Sequence, residues 1–117
     1  MITKEFADHF VAEWLDAWNS HDVEHVLSHY TDDFEMSSAF IIQVAGEPSG
    51  KLKGKAAVGA YWRAALERMP TLHFEHFTTF VGIDSIIIHY KGARGMAAEL
   101  FFFNDDLQVW KCCAHYE

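Results

Sequence analysis

Along the first twenty residues, Phe6, Phe10, Trp14 and Trp18 recur at every fourth position with Val11, Leu15 and Ala17 beside them, while Glu5, Asp8, Glu13 and Asp16 fall mostly elsewhere on the wheel. This spacing predicts an amphipathic helix. Asn19 and Ser20 end it and can cap a second, shorter helix that runs to about Tyr30, with Val23, Val26, Leu27 and Tyr30 inward. Asp22 and Glu24 stand in its first turn, where acids suit the positive helix end. Thr31, Asp32 and Asp33 are turn chemistry, and residues 34–44, rich in aromatic and β-branched types, predict a strand or extended segment. Residues 46–50 and the lysines around them predict a loop. After Gly54 a third helix is expected over 55–69, with Val58, Tyr61, Trp62, Ala65 and Leu66 on one side, and Pro70 stops it.

The remainder alternates strand patterns with short turns. Four runs, 72–81, 85–91, 96–103 and 108–116, are separated by connections short enough for hairpins, so they predict an antiparallel meander. The order is helix, helix, strand, helix and then four strands, with the helices segregated to one face of the sheet. The expected fold class is therefore α+β. No linker, repeat or low-complexity tract divides the chain, which reads as one domain over 1–117.

Composition narrows the function. Half the residues are apolar and 22% are charged, an ordinary globular balance that excludes a disordered or fibrous chain. The net charge of −8 argues against nucleic acid and anionic membranes as partners, because the one cationic cluster, Lys51, Lys53 and Lys55, lies in a loop stretch. No apolar leader or window of about 18 apolar residues is present, so a soluble, cytoplasmic protein is expected. Cys112 and Cys113 are adjacent and would point to opposite faces of a strand, which precludes a disulfide framework and suits a reducing compartment.

Glu99 is the most informative charge. Alternation over 96–103 places Ala97, Glu99, Phe101 and Phe103 on one face and Met96, Ala98, Leu100 and Phe102 on the other. With both faces apolar the strand should be covered on both sides, and Glu99 then either turns to water at an edge or lines a cavity. In a dry cavity its pKa would rise, fitting it to donate a hydrogen bond or shuttle a proton.

His21, His25 and His29 repeat at every fourth position, but no nearby carboxylate completes a ligand motif such as His-Glu-x-x-His, and the expectation is a solvated stripe with no metal. His73 and His76 lie on opposite strand faces, so at most one reaches a cavity. The aromatics of the first helix, with Trp62 and Tyr116, are core residues by spacing that can also rim an apolar ligand site where the sheet curls away from the helices. Phosphate-binding glycine loops, nucleophile elbows and zinc spacings are lacking, and no cofactor is expected.

The sequence resembles the nuclear transport factor 2-like superfamily, and within it the SnoaL-like branch. The resemblance covers nearly the whole chain and is carried by the stretch Trp14 to Tyr30 running into Thr31-Asp32-Asp33-Phe34, by Gly54-Lys-Ala-Ala-Val with Tyr61-Trp62, and by Ala97 to Phe103 with Ala114-His115-Tyr116. It implies a cone-shaped, cystatin-like α+β fold with a deep pocket between a curved sheet and the helices, in a homodimer formed through the sheets. Matched to the ketosteroid isomerases of that superfamily, Glu99 falls where they carry a protonated oxyanion-hole Asp. Their catalytic base falls near Ser38, where no carboxylate stands, and their hydrogen-bonding Tyr falls at Trp14.

Three functions follow as expectations. The first is a binding module holding a hydrophobic small molecule among Trp14, Trp18, Trp62, Phe101 and Tyr116, with His76 and Cys112 also in the pocket and Glu99 and Ser38 fixing its orientation. The second is a cofactor-independent isomerase, cyclase or dehydratase using Glu99 as general acid with His76 or a neighbouring acid as its partner. The third is a protein-interaction domain using the outer sheet face, where Leu100 and Phe102 are otherwise assigned to the homodimer.

Overall fold

A computed structural model describes residues 1–117. Helix α1 (Lys4–Asn19) begins at Thr3, whose hydroxyl accepts from the Phe6 amide, and buries Phe10, Val11, Trp14, Ala17 and Trp18 as the spacing required. Helix α2 (Val23–Leu27) is shorter than expected and is capped by Asp22 instead of Asn19 or Ser20. Asn19 is used elsewhere: its side chain accepts from the Phe74 amide and donates to the Phe74 carbonyl, tying the end of α1 to the start of the sheet.

Tyr30 opens strand β1 (Tyr30–Ser37) rather than closing a helix. The His29 carbonyl accepts from the Val109 amide at 2.9 Å, and Tyr30 pairs with Val109, so the chain is drawn into the sheet there. Thr31, Asp32 and Asp33 consequently lie within β1, in an irregular stretch between the paired Tyr30 and Glu35, and do not form a turn between elements. The strand expected over 34–44 splits in two. Ser38 turns the chain by accepting from the Phe40 amide at 3.2 Å and caps helix α3 (Ala39–Val44), whose β-branched and aromatic residues had argued for a strand.

Where a loop was expected, Lys51–Lys53 forms a short edge strand, β2, antiparallel to β1. Helix α4 (Lys55–Arg68) buries Val58, Tyr61, Trp62 and Ala65. The meander follows as β3 (Glu75–Val81), β4 (Ser85–Gly92), β5 (Gly95–Phe103) and β6 (Val109–Tyr116). All six strands form one sheet in the order β2-β1-β6-β5-β4-β3, with β1 parallel to β6 and every other pair antiparallel.

The helices cover one face of this sheet, and the core is the aromatic seam between them. Trp14 meets Phe74, Tyr90 and Phe101 at ring separations of 5.2 to 5.6 Å, and Trp62 meets Trp18 and Tyr30 at 5.1 and 5.4 Å. Ala97, Glu99, Phe101 and Phe103 are buried on the inner face of β5, while Met96, Ala98, Leu100 and Phe102 are only half-buried. Coverage of β5 on both sides, expected from its sequence, is thus incomplete within a single chain. No helix is long and apolar enough to cross a membrane.

Candidate functional site

Between the inner sheet face and the helices lies a cavity of about 340 Å³. Its wall includes Trp14 and Trp18 from α1, Trp62 from α4 and Glu99 from β5, with Phe40 from the start of α3, Arg94 from the turn between β4 and β5, and Tyr116 from the end of β6. The volume lies in the lower part of the range typical of small-molecule sites.

Glu99 is held there by strand register. It pairs with Ile88 on one side and Ala114 on the other, so its carboxyl projects from the inner face between aliphatic neighbours. It is 5% exposed, and its one hydrogen bond within the protein comes from the Tyr90 hydroxyl, which donates to Oε1 at 3.2 Å. Burial pushes the Glu99 pKa up to about 7, and the Tyr90 hydrogen bond only partly opposes this. Near neutral pH a large share of the carboxyls is therefore protonated and able to donate.

Tyr90, Tyr61 and Tyr116 all have pKa values raised chiefly by burial and also by the Glu99 carboxylate, which keeps their hydroxyls protonated. Neutral Glu99 is thus a donor that an oxygen-bearing ligand would meet in an otherwise apolar chamber.

The mouth is built by α3. Ser38 Oγ and the Tyr116 hydroxyl lie 2.8 Å apart, Phe40 packs on the Tyr116 ring at 4.2 Å, and the Arg94 guanidinium sits 4.4 Å from the centre of the Phe40 ring. Capping of α3 by Ser38 is what brings Phe40 over the opening.

Of the residues singled out from sequence, Glu99, Trp14, Trp18, Trp62 and Tyr116 come together around the cavity. Four do not line it. Ser38 is buried one layer out and acts through Tyr116. Phe101 is wholly buried in the core against Phe10 and Trp14, and Cys112, its partner in the β5–β6 register, is also wholly buried. His76 is exposed on edge strand β3 and bonds to Thr79 at 2.7 Å, which removes it as a proton-transfer partner of Glu99. Sequence reasoning missed Tyr90 as a site residue, although Ile86, Ile88 and Tyr90 alternate on the same strand face and the signal was present.

The histidines also depart from a simple stripe. His21 precedes α2 with a left-handed φ of 58° and bonds through Nε2 to the Leu72 carbonyl at 2.8 Å. His25 and His29 instead face Glu13 of α1, a carboxylate that the local sequence did not reveal.

The chain belongs to the SnoaL-like family, since the SnoaL-like domain model matches residues 11–117. It is 57% identical to a SnoaL-like protein of unknown function from Burkholderia thailandensis E264, with a TM-score of 0.94 over 99% of this chain and 98% of that one. More distant structures share the fold. The epoxide hydrolase/cyclase-like enzyme SalBIII, with a role in pyran ring formation in the polyether salinomycin, is 14% identical with a TM-score of 0.76, over 100% of this chain and 95% of its own. An NTF2-like protein of unknown function from Cytophaga hutchinsonii is 13% identical with a TM-score of 0.70, over 100% of this chain and 92% of its own. No protein of curated function matches. The SnoaL-like assignment and the α+β fold implied by the sequence therefore hold, and that fold is shared with the NTF2-like protein.

Proposed function

We propose that the protein binds a small, largely apolar molecule carrying a carbonyl or hydroxyl oxygen, and that neutral Glu99 donates the orienting hydrogen bond to that oxygen. The observation that carries this reading is the placement of one carboxyl, 5% exposed, in a chamber walled by Trp14, Trp18 and Trp62. A carboxylate in that position is costly, whereas a carboxylic acid with a ligand acceptor before it is not. Binding without turnover is favoured because His76 lies outside the cavity and the remaining side chain bonded to Glu99 is a tyrosine whose pKa is itself raised.

The test is a titration with a bicyclic aromatic ketone such as α-tetralone, read by quenching of the tryptophans that line the cavity. Saturable quenching is expected, and Ala65→Phe, which fills the cavity from α4, should abolish it while leaving a folded circular dichroism spectrum. Unsaturable quenching, or equal affinity in a folded Ala65→Phe variant, would overturn the reading.

A second reading, acid catalysis on an epoxide or enol, is supported by the pKa of Glu99 near 7, within the useful range for a general acid, and by the cyclase-like enzyme that shares the fold. Turnover of such a compound, lost in Glu99→Gln, would select it over simple binding.

The outer sheet face is best occupied by a second copy of this chain. Leu100 and Phe102 are half-buried there, Trp110 lies tilted against Phe102 at 5.8 Å while remaining 47% exposed, and Ile87 on β4 extends the patch. Three adjacent strands thus present apolar groups that a monomer leaves wet.

A further inference from the structure

Away from the cavity, α1 and the junction between α2 and β1 converge on the Glu13 carboxylate. His25 Nε2 lies 3.5 Å and His29 Nε2 3.9 Å from Glu13 Oε1, and the ligating atoms of all three residues lie within 4.8 Å of one another. On the other carboxylate oxygen, His9 Nε2 approaches Oε2 at 2.6 Å from one helical turn earlier.

The arrangement depends on the fold. His25 lies within the short α2 and His29 just beyond its end at Leu27, with their ring centres 5.7 Å apart. Phe10 packs edge-on against the His29 ring at 5.5 Å and restrains its orientation. His29 Nε2 is buried and has no hydrogen-bond partner, leaving a lone pair or N–H aimed at the cluster without use by the protein itself.

We propose that Glu13, His25 and His29 form a binding site for a divalent first-row transition ion, with zinc the best match, and that His9 orients the carboxylate from outside the coordination sphere. Two imidazoles and a carboxylate suit zinc and its neighbours, whereas calcium and magnesium call for more oxygen ligands. Ligands at about 2.05 Å in a tetrahedron stand about 3.3 Å apart, so the 3.5 and 3.9 Å separations from the carboxylate need only small side-chain movements to close on an ion. A fourth position is left for water. The close approach of His9 to the second carboxylate oxygen is the kind of outer contact that fixes a ligand's orientation. An ion here would clasp α1 to the α2–β1 junction.

The experiment uses the full untagged chain, stripped with a chelator and titrated with Zn²⁺ by calorimetry and with Co²⁺ by visible absorption. One ion per chain is expected, with a Kd below about 1 µM near neutral pH and a Co²⁺ spectrum of tetrahedral intensity. Glu13→Gln and His25→Ala should each weaken Zn²⁺ binding by more than about 100-fold, and His9→Ala by about 10- to 100-fold. His73→Ala, an exposed histidine elsewhere, should change nothing. Zinc should also raise the melting temperature of the parent protein but not of His25→Ala. Because half-buried His29 contributes to packing, a His29→Ala variant that fails to fold leaves the decision to Glu13→Gln and to His25 on α2. Weak binding without defined stoichiometry, or binding unchanged in either of those two variants, would overturn the site.

Discussion

The Tyr90 hydroxyl and the Glu99 carboxyl, on neighbouring strands and 3.2 Å apart, form the polar centre of an otherwise apolar chamber. Tyr90 pairs with Ala97 across β4 and β5, which sets its ring diagonal to Glu99 on the inner face and within reach of Oε1. The contact favours the ionised carboxyl, burial favours the neutral one, and burial prevails.

Stability should therefore carry a pH signature traceable to one residue. The folded pKa of Glu99 lies near 7, above its unfolded value of 4.5, so the native state holds a proton that the unfolded state releases as pH rises between those values. Stability falls through that window and then levels. Glu99→Gln removes the penalty and should stabilise the protein by up to about 3 kcal/mol at pH above about 8, with no gain below about pH 4. In thermal melts the difference is on the order of 10 °C at the alkaline end. A variant that melts with the parent at every pH would show that Glu99 titrates normally.

Tyr90→Phe removes the donor that favours ionised Glu99. The carboxyl should then titrate at still higher pH, seen by carbon NMR of the labelled side chain, at a cost of about 1 kcal/mol in denaturant unfolding. A Glu99 pKa lowered by this change would contradict the roles given to burial and to the hydrogen bond.

Ser38→Ala deletes both the α3 cap and the partner of the Tyr116 hydroxyl. About 1 to 2 kcal/mol of stability should be lost, with faster amide exchange confined to α3 and the end of β6. Uniform acceleration over the whole chain would mean that Ser38 supports the core generally and not the mouth of the cavity.

On the outer face, Trp110→Asp should convert the proposed dimer to a folded monomer in sedimentation velocity. A parent protein that already sediments as a monomer at micromolar concentration contradicts the assignment of this face.

The Phe6, Phe10, Trp14 and Trp18 repeat and the period-two pattern around Glu99 were legible because each is a local consequence of backbone geometry. The end of α2 was not, because Tyr30 is taken into a strand by Val109, nearly eighty residues away, and no local propensity encodes that parallel pairing. Residues 39–44 are β-formers by composition and become α3 through one serine cap. Alternation allows one of His73 and His76 to reach a cavity but does not say where in the sheet their strand lies; β3 is the sheet edge, and His76 is exposed there. Glu13 was separated from His25 and His29 by a turn whose path the sequence did not define.

The most direct test of the central claim is the affinity for α-tetralone, a ketone with no titrating group, measured across pH in the parent and in Glu99→Gln. If neutral Glu99 is the donor, parent affinity is flat below pH about 6 and falls about 10-fold per pH unit above about 7, while the Gln variant binds with no such dependence. Parent affinity that is constant from about pH 5 to about pH 9 would contradict it.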